Sequence, residues 1–228
     1  MAPADCTSGD PPQDAFRQAR LAMVADQVAA RGVKDPRVLD AMRAVPRHEF
    51  VPLTLRDDAY VDSPLPIGHG QTISQPYIVA LMTELARPSP ADRVLEVGTG
   101  SGYQAAVISR LVSRVFTVEL VDPLAQSASA VLRRLGYSNV TVRSGDGYLG
   151  WPDEAPFDII LVTAAPEQVP AALVAQLKPG GRLIVPVGRA WDVQDLQLIE
   201  KDAGGKVKTR SVIPVRFVPM VKKRDNSQ

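Results

Sequence analysis

Ten residues constrain this chain most: Val94-Leu95-Glu96-Val97-Gly98-Thr99-Gly100-Ser101-Gly102-Tyr103, a strand-type run that empties into a glycine-rich turn and then a helical segment. Glycines at 98, 100 and 102 can take positive φ and carry no Cβ, so the main chain can lie against a ligand and present its amides. From Arg93 onward strand and helix signals alternate. The pattern predicts strands over 93–97, 115–119, 140–143, 157–162 and 182–187, and helices over 101–112, 123–135 and 167–177. Such alternation implies an α/β fold, a doubly wound, mostly parallel sheet with helices on both faces. Two further strand candidates, Asp195 to Lys201 and Val212 to Val218, are joined by Ala203-Gly204-Gly205 and are expected to pair antiparallel at one end.

The glycine spacing bears on the ligand. A dinucleotide fingerprint runs G-x-G-x-x-G and aims a helix at a pyrophosphate. Here the glycines run G-x-G-x-G, and Glu96 stands two residues before the first. A carboxylate so placed repels a diphosphate and suits a cationic, amine-bearing ligand. S-adenosylmethionine, with a sulfonium and an ammonium and no phosphate, fits that requirement better than NAD. Ligands of an open doubly wound sheet sit outside the carboxyl ends of its strands, which gathers three segments. The glycine loop with Glu96 would face the methionine part of the cofactor. Glu119, ending Val115-Phe116-Thr117-Val118, would accept the ribose hydroxyls, with Leu120 beside it. In Gly145-Asp146-Gly147, Asp146 either accepts from the adenine amino group or caps a helix. Tyr103 either lies over the cofactor or packs into its helix.

Composition narrows the rest. With 228 residues and 45% hydrophobic content, one well-buried domain is the default. The 26 Lys and Arg against 25 Asp and Glu leave a net charge of +1, which gives no electrostatic footprint for nucleic acid or an anionic membrane. Cys6 is the single cysteine, so no internal disulfide or thiolate metal cluster is expected, in keeping with a reducing cytoplasm. No signal-peptide pattern or membrane span is legible. Residues 1–12 read as a disordered tail. Residues 13–228 read as one domain, with N-terminal helices and a loop over 13–88 and the cofactor-binding sheet and C-terminal strands over 89–228. Helical patterns run from Asp14 to Gly32, from Asp35-Pro36 to Pro46, and from Gln75-Pro76 to Arg87-Pro88. Between them, 47–70 is proline- and glycine-rich and irregular. The two histidines, His48 and His69, have no carboxylates at metal-ligand spacing, so no metal is expected. His69 either lines the pocket or bonds the loop backbone.

The exit from the irregular stretch is distinctive: Leu65-Pro66-Ile67-Gly68-His69-Gly70-Gln71-Thr72-Ile73-Ser74-Gln75-Pro76-Tyr77. Together with Val45 to Pro52, Gly68 to Ala80, Val94 to Gln104, Gly145 to Trp151, Ala155 to Asp158, Val162 to Ala165, Leu177 to Gly188 and Phe217 to Pro219, it closely resembles the bacterial protein-L-isoaspartate (D-aspartate) O-methyltransferases. The likeness spans nearly everything after residue 20. It implies a Rossmann-like class I methyltransferase fold and transfer of the methyl of S-adenosylmethionine to the free α-carboxylate of isoaspartyl residues in damaged proteins and peptides. The products would be a methyl ester and S-adenosylhomocysteine, and the labile ester would start repair through a succinimide; whether D-aspartyl residues are accepted stays open.

The resemblance places the active-site serine on Ser74, with Gln71, Thr72 and Ile73 on the substrate side. The cofactor loop falls on Gly98, Thr99, Gly100, Ser101 and Gly102, and the ribose acid on Glu119, with Asp146 and Gly147 on the adenine side. Val218, near Arg216 and Pro219, would bind the substrate main chain; the alternative is an edge strand ended by proline. An α-carboxylate is already ionised at neutral pH, so the site needs positioning more than a base. Ser74 is therefore an orienting donor, a helix N-cap before Pro76, or both. Expected partners are isoaspartyl proteins and peptides, with no nucleic acid and no membrane, for a cytoplasmic monomer. The competing readings are a class I methyltransferase acting on another carboxylate or small molecule, and a non-catalytic cofactor-binding module.

Overall fold

The computed structural model describes residues 16–222; the expected tail over 1–12 and Cys6 lie outside them. The first helical segment is continuous but not uniform. α1 (Arg17–Ala22) passes into a π-helical turn over Met23–Val28 and a 3-10 turn over Ala29–Arg31, stopped by Gly32 at φ +102. The apolar spacing explains the change of winding. Met23, Val24 and Val28 are all fully buried, yet ideal α-geometry sets positions five apart about 140° from each other. A wider i→i+5 turn brings Met23 and Val28 back to one face. α2 (Pro36–Ala44) begins where the Asp35 carboxylate accepts the Arg37 amide, with proline in the first turn.

The stretch expected to be irregular contains a hairpin. β1 (Leu65–Gly68) pairs antiparallel with β2 (Gln71–Ile73). Its two connecting residues, His69 and Gly70, have φ of +52 and +69, the requirement of a two-residue type I′ turn. His69 is exposed at this turn and is not among the residues lining the two clefts described below. His48 is a core residue, its Nδ1 2.7 Å from the Tyr60 hydroxyl and its ring stacked on Phe16. α3 (Pro76–Ala86) follows.

The main sheet runs β5-β4-β3-β6-β7-β8-β9. Its strands are β3 (Arg93–Val97), β4 (Arg114–Glu119), β5 (Val140–Ser144), β6 (Phe157–Val162), β7 (Leu177–Val187), β8 (Gln194–Lys201) and β9 (Val207–Val215). The first five are parallel, and β8 and β9 turn antiparallel as expected. α4 (Tyr103–Ser109), α5 (Asp122–Arg134) and α6 (Ala171–Gln176) make the connections. The chain winds outward from β3 to β4 to β5, then returns to β6 on the other side of β3. That reversal opens a crevice at the carboxyl ends of β3, β4 and β6.

Several boundaries differ from the sequence reading: β7 begins at Leu177 rather than 182, β9 at Val207 rather than Val212, and α4 covers only Tyr103–Ser109. α6 starts at Ala171 because Pro170 stands at its N-cap, and a residue before proline is pushed out of the α region. β9 ends at Val215, before Val218, because the Gln194 side chain takes the Phe217 amide (2.8 Å) and diverts the chain. Val218 and Pro219 therefore do not continue the edge strand. They cross to Ala165, whose amide donates to the Val218 carbonyl and whose carbonyl accepts from Met220, both at 2.8 Å.

Candidate functional site

A cleft of about 800 Å³ lies in the crevice, closed on one side by β2 and on another by residues 218–221. Gln71, Thr72, Ile73 and Ser74 line it from the hairpin and its exit, and Glu96, Gly98, Thr99, Gly100 and Ser101 from the end of β3 and the loop. Glu119 and Leu120 enter from the end of β4, Gly147 from the turn after β5, and Val218 from the C-terminal crossing. Two expected members stand outside. Gly102 turns toward α5 at φ +88, where a Cβ would meet Leu132 at 3.1 Å, so its role is close packing of α4 on α5. Asp146 accepts the Tyr148 amide (2.9 Å) and caps the short turn over Gly147–Leu149. The capping alternative fits this geometry, and Gly147 alone of the pair reaches the cleft.

The loop is built differently from the expectation that its amides face a ligand. Gly98 and Thr99 both donate to the Val118 carbonyl (2.8 and 3.3 Å), Gly102 donates to Thr99 (2.8 Å), and Gly100 donates to Glu119 Oε2 (2.8 Å). These four amides serve the loop itself, and Ser101 together with the bare glycine backbone is what the loop offers a ligand. Gly98 sits at φ +96, with Thr163 Oγ1 only 2.5 Å from where a Cβ would stand. Thr163 holds the turn by donating to the Gly98 carbonyl at 2.6 Å. At Gly147 a Cβ would fall 2.5 Å from Val97 Cγ1 and 3.1 Å from Met220 Cε. Any added methyl group there would fill part of the cleft.

Glu96 is completely buried on β3. Its Oε2 accepts from Thr117, which is itself 2.7 Å from the Thr99 hydroxyl. Its Oε1 has no hydrogen-bond partner among the described residues. Burial pushes its pKa up to about 8, opposed by the Thr117 bond and reinforced by the Glu119 charge. Gln104 presents a second unpartnered buried oxygen, Oε1, while its amide nitrogen donates to Thr83 (3.0 Å). Both residues line the cleft. Two orphaned acceptors, one of them acidic, match an ammonium donor and mismatch a phosphate. Glu119 completes the electrostatics. Its oxygens accept from Gly100 and Val121 (2.8 and 3.0 Å), yet a carboxylate has about four lone-pair sites, enough left for vicinal hydroxyls. The set of acceptors thus fits an amine- and ribose-bearing cofactor. Tyr103 is buried with its hydroxyl 3.8 Å from Met42 Sδ and its ring edge-on to Phe50. It packs in the core and also forms cleft wall.

A second cleft of about 980 Å³ adjoins the first, between β9 with the following chain and the start of α3. Four residues line both: Thr72, Ser74, Thr163 and Val218. Ser74 does not cap α3, because the N-cap position is Gln75, which makes no side-chain cap. The first turn is capped from a distance instead. Asp62 accepts the Tyr77 amide (2.9 Å) and the Gln75 side chain (2.6 Å). The Ser74 hydroxyl has no hydrogen bond among the described residues, so it is available to the clefts. Sequence reasoning missed Thr163, Gln104 and Asp62. Thr163 follows the end of β6, where a position at a strand's carboxyl end was the usable signal; the other two carry none.

The chain matches the family model described as "Protein-L-isoaspartate(D-aspartate) O-methyltransferase (PCMT)" over residues 18–225. It is 58% identical over 190 residues to protein-L-isoaspartate O-methyltransferase 2 of Polaromonas sp. strain JS666, covering 83% of this chain and 90% of the relative. To protein-L-isoaspartate O-methyltransferase 1 of Cupriavidus necator it is 52% identical over 227 residues, covering 97% and 88%. Among solved structures, a protein-L-isoaspartate O-methyltransferase superposes with a TM-score of 0.78 at 33% identity; the match covers 89% of this chain and 65% of that one. A putative Plasmodium falciparum protein-L-isoaspartate O-methyltransferase in complex with S-adenosyl-L-homocysteine superposes with a TM-score of 0.76 at 26% identity, covering 90% and 99%.

Proposed function

The chain belongs to the protein-L-isoaspartate(D-aspartate) O-methyltransferase family, and from that premise we propose how its residues divide the work. The enzyme methylates the free α-carboxylate of isoaspartyl residues in damaged proteins and peptides, the first step of their repair. Bound S-adenosylmethionine supplies the electrophilic methyl group on its sulfonium. Glu96 and Gln104 hold the cofactor's ammonium, Glu119 its ribose hydroxyls, and the turns at Gly98–Ser101 and Gly147 supply close main-chain surface. The second cleft takes the peptide, and the wall formed by Thr72, Ser74, Thr163 and Val218 is where acceptor and donor meet.

The observation that carries this reading is that shared wall. A reaction between two bound molecules needs their reacting atoms within about 3–3.5 Å, and two adjoining clefts with polar hydroxyls between them meet the requirement. The acceptor, with an α-carboxyl pKa of about 3.5, is ionised at neutral pH, so no residue has to remove a proton. Ser74 and Thr72 orient it by neutral hydrogen bonds. An arginine fork at the same point would hold the carboxylate tighter, but it would stabilise the ground state more than the transition state, where charge is leaving the oxygen.

Residues 13–228 act as one methyltransferase domain in this reading, as a cytoplasmic monomer. No helix among the described residues is long and apolar enough to cross a membrane. Incubation with methyl-labelled cofactor and matched peptides tests the function. Base-labile label on the isoaspartyl peptide and none on its aspartyl twin is expected. Equal label on both, or on neither, refutes it.

A further inference from the structure

The second cleft carries an uneven charge. Its walls are mostly apolar, with Tyr77, Ile78, Ile213 and Phe217 among them, and among the described residues the only charged side chains lining it are Arg31 and Arg216, with no carboxylate. The two arginines are in different states. Arg31 is committed: one guanidinium nitrogen is paired with Asp62 Oδ2, and its Cζ lies 3.6 Å from the centre of the Tyr77 ring. Asp62 in turn is held by Gln75 and the Tyr77 amide, so Arg31 belongs to a closed, compensated cluster. Arg216 is exposed and has no ion pair, hydrogen bond or ring contact among the described residues. It stands between buried Val215 and Phe217, whose amide is fixed by Gln194, and two residues before Val218 of the shared wall.

We propose that Arg216 is a specificity-determining residue that selects isoaspartyl substrates bearing a carboxylate side chain next to the damaged residue. This rests on the second cleft being the peptide site. The isoaspartyl α-carboxylate is consumed at Thr72 and Ser74, so the arginine's charge is left for a neighbouring side chain. With low-dielectric walls on either side, a lone cation projects its field along the groove and favours the anionic neighbour over a neutral or cationic one. Arg216 lines the second cleft but not the wall shared with the first, which matters to the chemistry. A cation reading the flank improves binding without drawing charge from the attacking oxygen, so the preference resides in KM and leaves kcat alone.

The test uses the whole enzyme and isoaspartyl peptides identical except for Glu, Gln or Lys immediately before or after the isoaspartyl residue, at low and high salt. At one of these two positions KM is expected to be about threefold lower for Glu than for Gln and about threefold higher for Lys, with kcat shared, the scale of a partly exposed ion pair. High salt should compress the spread. Ratios among peptides within each variant are the readout. Arg216→Gln should collapse the three KM values toward one another, and Arg216→Glu should reverse their order. Esters formed with no charge ranking at either position, or a ranking that survives in Arg216→Gln, overturn the proposal while leaving the methylation reading intact. No ester on any isoaspartyl peptide overturns both.

Discussion

Cofactor affinity should rise about eightfold as the pH goes from 6 to 7, a direct consequence of burying Glu96. With its pKa near 8 in the ligand-free protein, Glu96 is about 1% ionised at pH 6 and about 9% at pH 7. A free α-amino group, with pKa about 7.8, is about 98% and 86% protonated at the same two values. Binding pairs an ammonium with a carboxylate, so affinity follows the product of the two fractions. That product climbs about eightfold over this unit, peaks near pH 8, and falls above it as the ligand's amine deprotonates. The groups facing Glu96 do not blur the window. Thr117, whose hydroxyl bonds the carboxyl, does not titrate. Glu119 enters only as the nearby charge that reinforces the shift.

Titration calorimetry with S-adenosylhomocysteine, in buffers of different ionisation enthalpy, should register about 0.8 proton released per molecule bound at pH 7 and net uptake at pH 9. Glu96→Gln should flatten the rise below pH 7. Flat affinity between pH 6 and 7 with no proton release in the wild type would refute the argument. The same carboxyl affects folding. Its folded pKa is above the unfolded value of 4.5, so the folded state binds more protons between those limits. Ligand-free stability is therefore lost as pH rises from about 4.5 to 8, by up to about 1.4 kcal/mol per unit.

Four substitutions test the rest of the site. Gly98→Ala forces a Cβ to 2.5 Å from Thr163 Oγ1 at φ +96 and should lower cofactor affinity at least tenfold in calorimetry; adding Thr163→Ala should relieve the clash but not the backbone strain, recovering only part. Glu119→Ala removes an acceptor for the cofactor and for the Gly100 amide and should weaken cofactor binding by about 1–3 kcal/mol, whereas Ser74→Ala should lower kcat with cofactor affinity unchanged, as steady-state kinetics would resolve. Asp62→Ala uncaps α3 and releases Gln75 and Arg31 together, costing about 1–3 kcal/mol in denaturant unfolding; an unchanged midpoint would show that water replaces the carboxylate at no cost.

What the sequence made legible follows from where each signal resides. β3, β4 and β6 are buried on both faces and read as apolar runs, and the glycine turn after β3 names the crevice by itself. β9 was displaced in the reading because Val207–Ser211 are all exposed at the sheet edge, with Lys208 and Arg210 among them. Such charged edges discourage further pairing and erase the apolar signature of a strand. The β1–β2 hairpin was hidden by Pro66 and Gly68, which read as loop residues although only a two-residue turn with positive φ was needed. The resemblance places Gly102 in the cofactor loop, and the sequence leaves Asp146 either an adenine acceptor or a cap. Spacing locates a turn but not the direction in which its members face, and here they face α5 and Tyr148.

Asp62 shows why a local reading of Ser74 falls short. A serine two residues before a proline that opens a helix satisfies every short-range criterion for a cap, and a capping hydroxyl is committed to backbone amides. In the folded chain that task is done by a carboxylate fifteen positions upstream of Tyr77, from the loop that precedes the hairpin. Relieved of capping, the hydroxyl stays unpaired at the junction of two clefts, where a carboxylate acceptor can use it. The exchange also joins the architecture to the chemistry. Asp62 ties the start of α3, Gln75 and Arg31 into one cluster, which fixes the wall on which Ser74 stands. Loss of Asp62 should therefore reduce turnover in protein that remains folded, because a donor misplaced by as little as an ångström forfeits much of the gain from orientation.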